Sequence, residues 1–479
     1  MRNSSFIDNS QFYLGQIMKY PSQLKALKNK IYFTSLGCAR NLVDTEVMLG
    51  MVLKAGYQVT DQLNQADFLV VNTCGFLATA REESIDSVNN FFQEKKKEAK
   101  VIVAGCMVQK HKDQLKELFP HIHYFLGSGD VEKILEALAA DTPGEVISDA
   151  RSYLEWGEIP RQLSTPKHYA YLKIAEGCAK QCSFCIIPKI KGRLRSKPMP
   201  QILKEFRALL SQGVKEVILI AQDLGDYGKD LVDKQGLESV ISLLLSEKSS
   251  FWLRLLYLYP DEITDRLIAL MKADQRICPY LDMPIQHINN RILKAMKRKT
   301  SKEQIIETIE KLRRNLPNIV IRTSLMVGFP SETEEEVDEL IEFIQKYPID
   351  HIGIFKYSCE EQSASAKLPD HISEEVKQAR FDRVAKAQMQ LTAQRNQRYI
   401  GQKIPVIIEG PHPDSPYLLC GRFSGQAPEI DGMVIINDAR RVKKLPELYE
   451  VEITDVADYD LIGRAIRSLE KKTSLNMVL

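Results

Sequence analysis

The apolar residues of this chain fall into short runs that alternate with helical patterns. The runs at 30–38, 66–74 and 100–106 are bounded by turn residues, as is typical of buried strands. Between the first two, the segment 41–56 carries apolar residues three and four positions apart, the spacing of an amphipathic helix. Alternating strands and helices favour a parallel sheet with right-handed crossovers. We therefore predict an N-terminal α/β domain over 30–141.

A second alternating series follows a linker that contains Trp156 and Pro160. Its predicted strands are 169–177, 216–223, 252–260, 280–287, 319–330 and 351–358. Six strand-helix units are two fewer than a full (β/α)8 barrel contains, which predicts an open, partial (β/α)6 barrel over 164–398.

The C-terminal part of the chain has a different pattern. Short β-type runs alternate with Gly, Pro and Asp turns, which indicates a small antiparallel β-barrel over 399–467. Residues 401–470 contain eight Lys or Arg and twelve Asp or Glu, an excess of four negative charges. An acidic barrel is a poor electrostatic match for RNA.

Composition narrows the classes of function. The 479 residues include 65 Lys and Arg against 63 Asp and Glu, so the formal charge of +2 gives no global attraction to nucleic acid or to an anionic membrane. No run approaches the length of a transmembrane helix, and the first 30 residues lack the apolar core of a signal peptide. With an odd number of cysteines, nine, we expect a cytoplasmic protein in a reducing compartment.

The strongest chemical signal is Cys178, Cys182 and Cys185, a CxxxCxxC segment after the first strand of the second series. We call these residues the CxxxCxxC triad. Soft thiolate ligands favour an iron-sulfur cluster or zinc, and zinc would need a fourth ligand that is not found nearby in sequence. Three cysteines on a 4Fe-4S cluster would leave one iron open. The loop also follows the carboxyl end of a barrel strand, where (β/α) barrels carry out catalysis.

A second, dispersed set is Cys38, Cys74 and Cys106, here called the N-terminal triad. Each cysteine ends a predicted parallel strand and has a glycine beside it. The carboxyl ends of parallel strands meet at one edge of a sheet, so we expect these thiols to converge. The alternative is that they are buried packing residues. The other cysteines share no pattern, and we interpret them as packing residues: Cys278, Cys359 and Cys420.

Polar and turn residues at the ends of the remaining barrel strands outline a cofactor pocket. Each is weak evidence alone, because strand ends are commonly polar. They are Gln222, Asp223, Pro260, Gln286, His287, Gly328, Glu332 and Tyr357.

The CAKQCSFC segment followed by IIPKIKGRLRS resembles the signature of radical S-adenosylmethionine enzymes. The contexts SLGC, NTCGF and AGC of the N-terminal triad resemble the methylthiotransferases of that superfamily, and the last domain is similar to a TRAM domain. The resemblance covers residues 30–467. One departure is the Ala-Arg-Asn after Cys38, where many relatives have proline.

Within this family the segments SLGCARNLVDTE and LIAQDLGDYG resemble the RimO branch, which modifies a ribosomal protein, more than the MiaB branch, which modifies transfer RNA. The resemblance implies a transferase that methylthiolates the β-carbon of an aspartate in small-subunit ribosomal protein twelve. It also implies two 4Fe-4S clusters, one on each triad, with S-adenosylmethionine as cofactor. Gln222, Gln286 and Gly328 are the implied S-adenosylmethionine contacts.

The implied partners are the ribosomal protein and an electron donor such as flavodoxin or ferredoxin, with no membrane and no RNA held by the TRAM-like domain. Two alternatives stay open. One is methylthiolation of an adenosine in transfer RNA, and the other is a non-catalytic iron-sulfur or RNA-binding module.

Overall fold

A computed structural model describes residues 29–148, 154 and 160–470 of the chain. Trp156 of the predicted linker and the first 28 residues lie outside the described residues. The rest form two compact units. The first contains the described residues up to Lys248 together with Ser358–Lys367, and the second contains Ser249–Tyr357 and the described residues from Leu368 onward. No helix in the described ranges has the length and apolar character needed to cross a membrane.

The first unit begins with a six-stranded sheet in which every pair of neighbours is parallel. Its strands are β1 (Lys30–Ser35), β2 (Gln58–Val59), β3 (Phe68–Thr73), β4 (Lys100–Gly105), β5 (Tyr124–Gly127) and β6 (Gly144–Val146), in the spatial order β2-β1-β3-β4-β5-β6. Its helices are α1 (Ala39–Lys54), α2 (Ala78–Glu94), α3 (Cys106–Leu118) and α4 (Ile134–Ala139).

Both faces of this sheet are covered, because alternate residues of the central strands enter two different apolar cores. Val70 and Ile102 belong to one core, and Leu69 and Val101 belong to the other. Strands buried on both faces read as continuous apolar runs, which is why β1, β3 and β4 were visible in the sequence. Strands β2, β5 and β6 were not predicted, since they are only two to four residues long.

The first unit continues with the start of the second series. Its elements are β7 (Tyr169–Lys173), β8 (Ala175–Glu176), α5 (Ile187–Ile190), β9 (Arg195–Ser196), α6 (Met199–Ser211), β10 (Glu216–Ile220) and α7 (Leu237–Leu245). Strands β7 and β10 are parallel neighbours, and β8 pairs with β9 in the antiparallel sense. The β8-β9 pair therefore closes the base of the loop that carries the CxxxCxxC triad.

The second unit contains four parallel strands that neighbour one another in chain order. They are β11 (Trp252–Leu255), β12 (Ile277–Asp282), β13 (Val320–Val327) and β14 (His351–Lys356). The helices are α8 (Asp265–Ala273), α9 (Asn290–Ala295), α10 (Lys302–Asn315), α11 (Glu334–Lys346) and α12 (Glu374–Asn396). All six strands predicted for the second series are thus present, as β7 and β10 to β14.

The second unit ends in a closed five-stranded barrel. Its strands are β15 (Lys403–His412), β16 (Ser415–Phe423), β17 (Val434–Asp438), β18 (Glu447–Ala457) and β19 (Asp460–Ser468), in the order β15-β16-β17-β19-β18. The barrel is mixed and not purely antiparallel as predicted, because β17 and β19 pair in parallel. The hairpin from β18 to β19 reverses the chain, so that β19 returns in the direction of β17.

Candidate functional site

The N-terminal triad lies at one edge of the first sheet. Cys38 follows β1 and caps α1, Cys74 follows β3, and Cys106 follows β4 and begins α3. Strand β3 is the parallel neighbour of both β1 and β4. The three carboxyl ends therefore stand side by side, and the thiols lie close together as the sequence predicted.

Glycines allow these loops to approach one another. A Cβ atom on Gly37, whose φ is +88°, would lie 2.8 Å from Cβ and 3.0 Å from Sγ of Cys74. A Cβ atom on Gly75 would lie 2.8 Å from the backbone of Cys106. Real Cβ atoms do not approach other heavy atoms this closely, so each loop packs on the next only because it carries no side chain there.

Two asparagines hold the start of α1 against the end of β3. Asn41 Nδ2 donates to the carbonyl oxygens of Leu36 at 2.6 Å and Asn72 at 3.1 Å. In return, Asn72 Nδ2 donates to the carbonyl oxygen of Asn41 at 2.9 Å and to Oγ1 of Thr45 at 3.0 Å. These buried bonds fix the position of Cys38 between two structured elements.

The CxxxCxxC triad occupies a tight loop between β8 and α5. Gly177 has a φ of +78°, and a Cβ atom there would lie 2.1 Å from the carbonyl oxygen of Arg193. Two backbone N–H groups point at sulfur: Lys180 donates to Sγ of Cys178 and Ile187 donates to Sγ of Cys185, both at 3.4 Å. Such bonds stabilise negative charge on the sulfur atoms.

The thiols of each triad raise one another's pKa. Burial is the main reason that the pKa of Cys106 is raised to about 12; the charge of Lys191 opposes this rise, and the neighbouring Cys74 and Cys38 contribute to it. Burial also raises the pKa of Cys185 to about 12 and that of Cys178 to about 11, again with contributions from the other members of the triad. Three thiolates at such a site require a cation to offset their charge, which is what a metal centre supplies.

Cys38 differs from the others. Desolvation by the surrounding loops raises the pKa of its thiol, but the charge of Arg40 and the backbone N–H groups of Asn41 and Arg40 more than offset this, so that the pKa is lowered. The N-terminus of α1 thus favours a thiolate at this position.

The donor set of each triad suits an iron-sulfur cluster. Three soft thiol donors with backbone N–H groups directed at sulfur fit a 4Fe-4S cluster, in which three cysteine ligands leave one iron open.

A buried ionic network, absent from the sequence predictions, lies beside the triads. Lys191 lies 2.8 Å from Glu176 and 3.1 Å from Asp44, and Lys173 pairs with the same two carboxylates. Lys191 also donates to the carbonyl oxygen of Ser128 at 3.0 Å. The one sign of this network in the sequence was Lys173, which ends the otherwise apolar strand β7. A lysine is almost never fully buried without a partner, so its position indicates a buried ion pair.

The proposed S-adenosylmethionine contacts fall in different units. Gln222 follows β10 in the first unit, and its buried Oε1 has no hydrogen-bond partner among the described residues. Gln286, with a φ of +73°, and Gly328, with a φ of +76°, belong to the second unit. The backbone N–H of Gly328 donates to Oε2 of Glu332 at 2.8 Å.

The remaining three cysteines differ in their exposure to solvent. Cys278 is buried in β12, as expected of a packing residue. Cys420 is partly buried, and burial raises its pKa to about 11. Cys359 is exposed, so the interpretation of this residue as a packing residue is wrong.

Three parts of the chain match known protein families. Residues 30–127 match the uncharacterized protein family UPF0004, residues 172–344 match the radical SAM superfamily, and residues 400–466 match the TRAM domain. The predicted fold class, a parallel α/β sheet domain followed by a radical SAM domain and a small barrel, is thereby confirmed.

A solved structure supports the same fold. The radical S-adenosylmethionine methyltransferase TsrM from Kitasatospora setae, with cobalamin and a 4Fe-4S cluster bound, superposes with a TM-score of 0.52 at 15% identity, covering 69% of this chain and 75% of that one.

Curated relatives match almost the whole length of the chain. The ribosomal protein uS12 methylthiotransferase RimO of Protochlamydia amoebophila (strain UWE25) is 62% identical, covering 91% of this chain and 93% of that protein. The proteins of the same name from Chlamydia felis (strain Fe/C-56) and Bdellovibrio bacteriovorus (strain ATCC 15356 / DSM 50701 / NCIMB 9529 / HD100) are 57% and 40% identical, covering 92% and 93% of this chain and 96% and 99% of those proteins. This chain therefore belongs to the RimO family of ribosomal protein uS12 methylthiotransferases.

Proposed function

We propose that this chain is a radical S-adenosylmethionine transferase that replaces a C–H bond with C–SCH3 on the β-carbon of an aspartate in ribosomal protein uS12, in two S-adenosylmethionine-dependent steps. The observation that carries the proposal is the pair of thiol triads in one unit of a chain that is 62% identical to a uS12 methylthiotransferase. An unactivated carbon cannot be deprotonated readily by a side chain, so the cofactors carry the difficult chemistry.

The cofactors are two 4Fe-4S clusters and S-adenosylmethionine. Cys178, Cys182 and Cys185 hold one cluster, and Cys38, Cys74 and Cys106 hold the other. When bound, these groups supply the electron that cleaves S-adenosylmethionine, the radical that removes a hydrogen atom from the substrate, and the sulfur that replaces it.

The protein contributes position and electrostatics. The N–H groups of Lys180 and Ile187 direct positive dipoles at their cluster, since they already donate to its sulfur ligands. Gln222 contributes a buried Oε1 that a cofactor donor can satisfy, and Gln286 is a second candidate contact. Gly328, the third candidate contact, would act through its backbone, because the Lys377 side chain already fills the space that a Cβ atom would occupy there.

The partner protein, the compartment and the electron donor are also proposed from the family. Ribosomal protein uS12 is the partner named for the relatives, and the acidic terminal barrel suits a basic protein better than a polyanion. We propose that the chain acts in the cytoplasm, with flavodoxin or ferredoxin as the electron donor and without RNA binding by the barrel. We also propose that the three predicted parts, 30–141, 164–398 and 399–467, are its functional domains.

Mass spectrometry of small-subunit ribosomal proteins tests this function. Cells that contain the gene should carry uS12 heavier by about 46 Da, the mass of CH2S added when SCH3 replaces H. Cells without the gene should lack the addition, and transfer RNA should be unchanged. Persistence of the addition on uS12 after deletion of the gene would contradict the proposal, and its loss from transfer RNA would indicate the other substrate.

A further inference from the structure

One segment of the first unit contacts both the CxxxCxxC loop and the helix that follows Cys74. Residues Ser358–Lys367, here called the strap, come after β14 in sequence and pack within the first unit. Glu360, Ser363 and Ser365 of the strap are buried. Buried polar groups are nearly always hydrogen-bonded, so the partners of these residues show what the strap holds in place.

The strap is hydrogen-bonded to the CxxxCxxC loop. The backbone N–H of Ser365 donates to the carbonyl oxygen of Ser183 at 2.8 Å, and Ser183 directly follows Cys182. Nζ of Lys189, in the short helix α5 at the end of this loop, donates to the carbonyl oxygen of Gln362. The position of the CxxxCxxC loop is therefore linked to that of the strap.

An ion pair joins the strap to α2. Nη1 of Arg81 lies 2.6 Å from Oε2 of Glu360, and the hydroxyl of Ser358 donates to the other carboxylate oxygen of Glu360 at 2.9 Å. The side chain of Glu360 is 5% exposed and that of Arg81 is 19% exposed, so water screens their attraction less than it screens a surface pair. Charge-assisted hydrogen bonds of this kind are short and strong, and this one holds the strap against α2.

Helix α2 is in turn bound to the Cys74 loop. Ser84 lies one turn after Arg81 on the same face of the helix, is fully buried, and accepts a hydrogen bond from the backbone N–H of Cys74 at 3.2 Å. A continuous path thus runs from the N-terminal triad through α2, the Arg81–Glu360 pair and the strap to the CxxxCxxC loop.

We propose that Arg81 and Glu360 are positioning residues that set the separation of the two triads through the strap. The inference rests on the proposed function, in which the groups held by both triads act on one substrate carbon. A misplacement of about 1 Å between reacting groups can lower a rate about a hundredfold. Release of 5′-deoxyadenosine needs the CxxxCxxC triad alone, so loss of the pair should impair methylthiolation more than this release.

Hydrogen-deuterium exchange of the full chain, reconstituted with iron and sulfide, tests the link itself. The test variant combines Arg81→Met with Glu360→Gln, so that no buried charge is left unpaired and the fold is retained. Peptides that cover the strap and the CxxxCxxC loop should exchange about fivefold faster or more in this variant. Arg81→Lys keeps the charge and should exchange much as the parent chain does. The matched control combines Arg207→Met with Glu247→Gln, a pair at 2.7 Å in which Arg207 is 59% exposed on α6, and it should leave both peptides unchanged.

The ratio of methylthiolated uS12 to released 5′-deoxyadenosine tests the consequence. In the variant without the Arg81–Glu360 pair we expect this ratio to fall by about tenfold to a hundredfold, while 5′-deoxyadenosine per bound iron stays close to the parent value. Arg81→Lys should keep most of the ratio. A merely structural role would instead lower both products together with the iron content and leave the ratio unchanged. An unchanged ratio, or unchanged exchange in the strap and the CxxxCxxC loop, would overturn the proposal.

The exchange measurement contains neither S-adenosylmethionine nor substrate, so its outcome is independent of the product assay. Faster exchange in the test variant of a chain that never modifies uS12 would contradict the proposed function alone. Modified uS12 at an unchanged ratio to 5′-deoxyadenosine would contradict the role of Arg81 and Glu360 alone.

Discussion

At the scale of single residues, glycine decides how closely the loops of the N-terminal triad pack. We expect Gly37→Ala to destabilise the protein in two ways. Its left-handed backbone, with a φ of +88°, costs about 1–2 kcal/mol for a residue with a Cβ atom. Overlap of the new Cβ with Cys74, 2.8 Å from its Cβ, adds about 1–3 kcal/mol and displaces the thiol. Urea unfolding and iron content after reconstitution measure the two effects.

Gly213→Ala is the matched control for this substitution. Gly213 has a φ of +90°, but no heavy atom lies within 4 Å of the position of its Cβ. The Gly213→Ala variant should therefore lose only the free energy of unfolding that a left-handed backbone costs, and it should keep its full iron content. Equal losses of stability and iron in the two variants would show that contact between Gly37 and Cys74 is unimportant.

At the scale of elements, two buried ionic networks hold α1 in the first unit. Asp44 of α1 pairs with Lys191 and Lys173, and Glu46 of α1 pairs with Arg161 at 2.6 Å. Neither network was predictable, because the partners are more than a hundred residues apart in sequence and meet only in the folded chain. The sequence could show only that a lysine interrupts an apolar strand.

Replacement of Lys191 by methionine tests the first network. The variant removes one of the cations that pair with the buried carboxylates of Asp44 and Glu176, so we expect the free energy of unfolding to fall by about 3–5 kcal/mol. Lys112→Met is the control, since Glu145 keeps Lys116 at 2.7 Å on a partly exposed surface and the expected loss is about 1 kcal/mol or less. Similar losses in the two variants, measured by urea unfolding, would contradict the buried role of Lys191.

The second network predicts a dependence on pH. Although burial opposes it, the charges of Lys197 and Arg161 lower the pKa of Glu205, on α6, from 4.5 to about 2. A lowered pKa means that the ionised form stabilises the fold above the unfolded pKa, and that this stabilisation is lost as pH falls from about 4.5 to about 2. Its full size is roughly 3 kcal/mol.

Glu205→Gln should therefore be less stable than the parent chain at neutral pH, with a difference that shrinks as pH falls through this window. Denaturant unfolding at several pH values measures the difference. Glu145→Gln provides the comparison: its carboxylate is more exposed, so solvent screening should make both the difference and its pH dependence smaller. A pH-independent difference for Glu205→Gln would show that the carboxylate does not act through its charge.

At the scale of the whole molecule, burial decided which features the sequence revealed. Strands with both faces covered, such as β3, appear as apolar runs, and cysteines at their ends predict where the triads lie. The parallel pairing of β17 with β19 was missed, because short β-type runs specify strands without specifying their order. The convergence of the N-terminal triad was predictable only because a parallel sheet places successive carboxyl ends on one edge.

The same organisation predicts that both triads must belong to one chain. They lie in one compact unit, joined by the bond from Arg40 to Ala221 and by the Asp44 network. A chain with the N-terminal triad replaced by alanine should still release 5′-deoxyadenosine but form no methylthiolated uS12, and a chain without the CxxxCxxC triad should do neither. Mixing the two variants should not restore the product, since reaction depends on groups held at fixed distance within one protein. Liquid chromatography of 5′-deoxyadenosine and mass spectrometry of uS12 follow the two activities, and recovery of modified uS12 in the mixture would show that the triads act from separate chains.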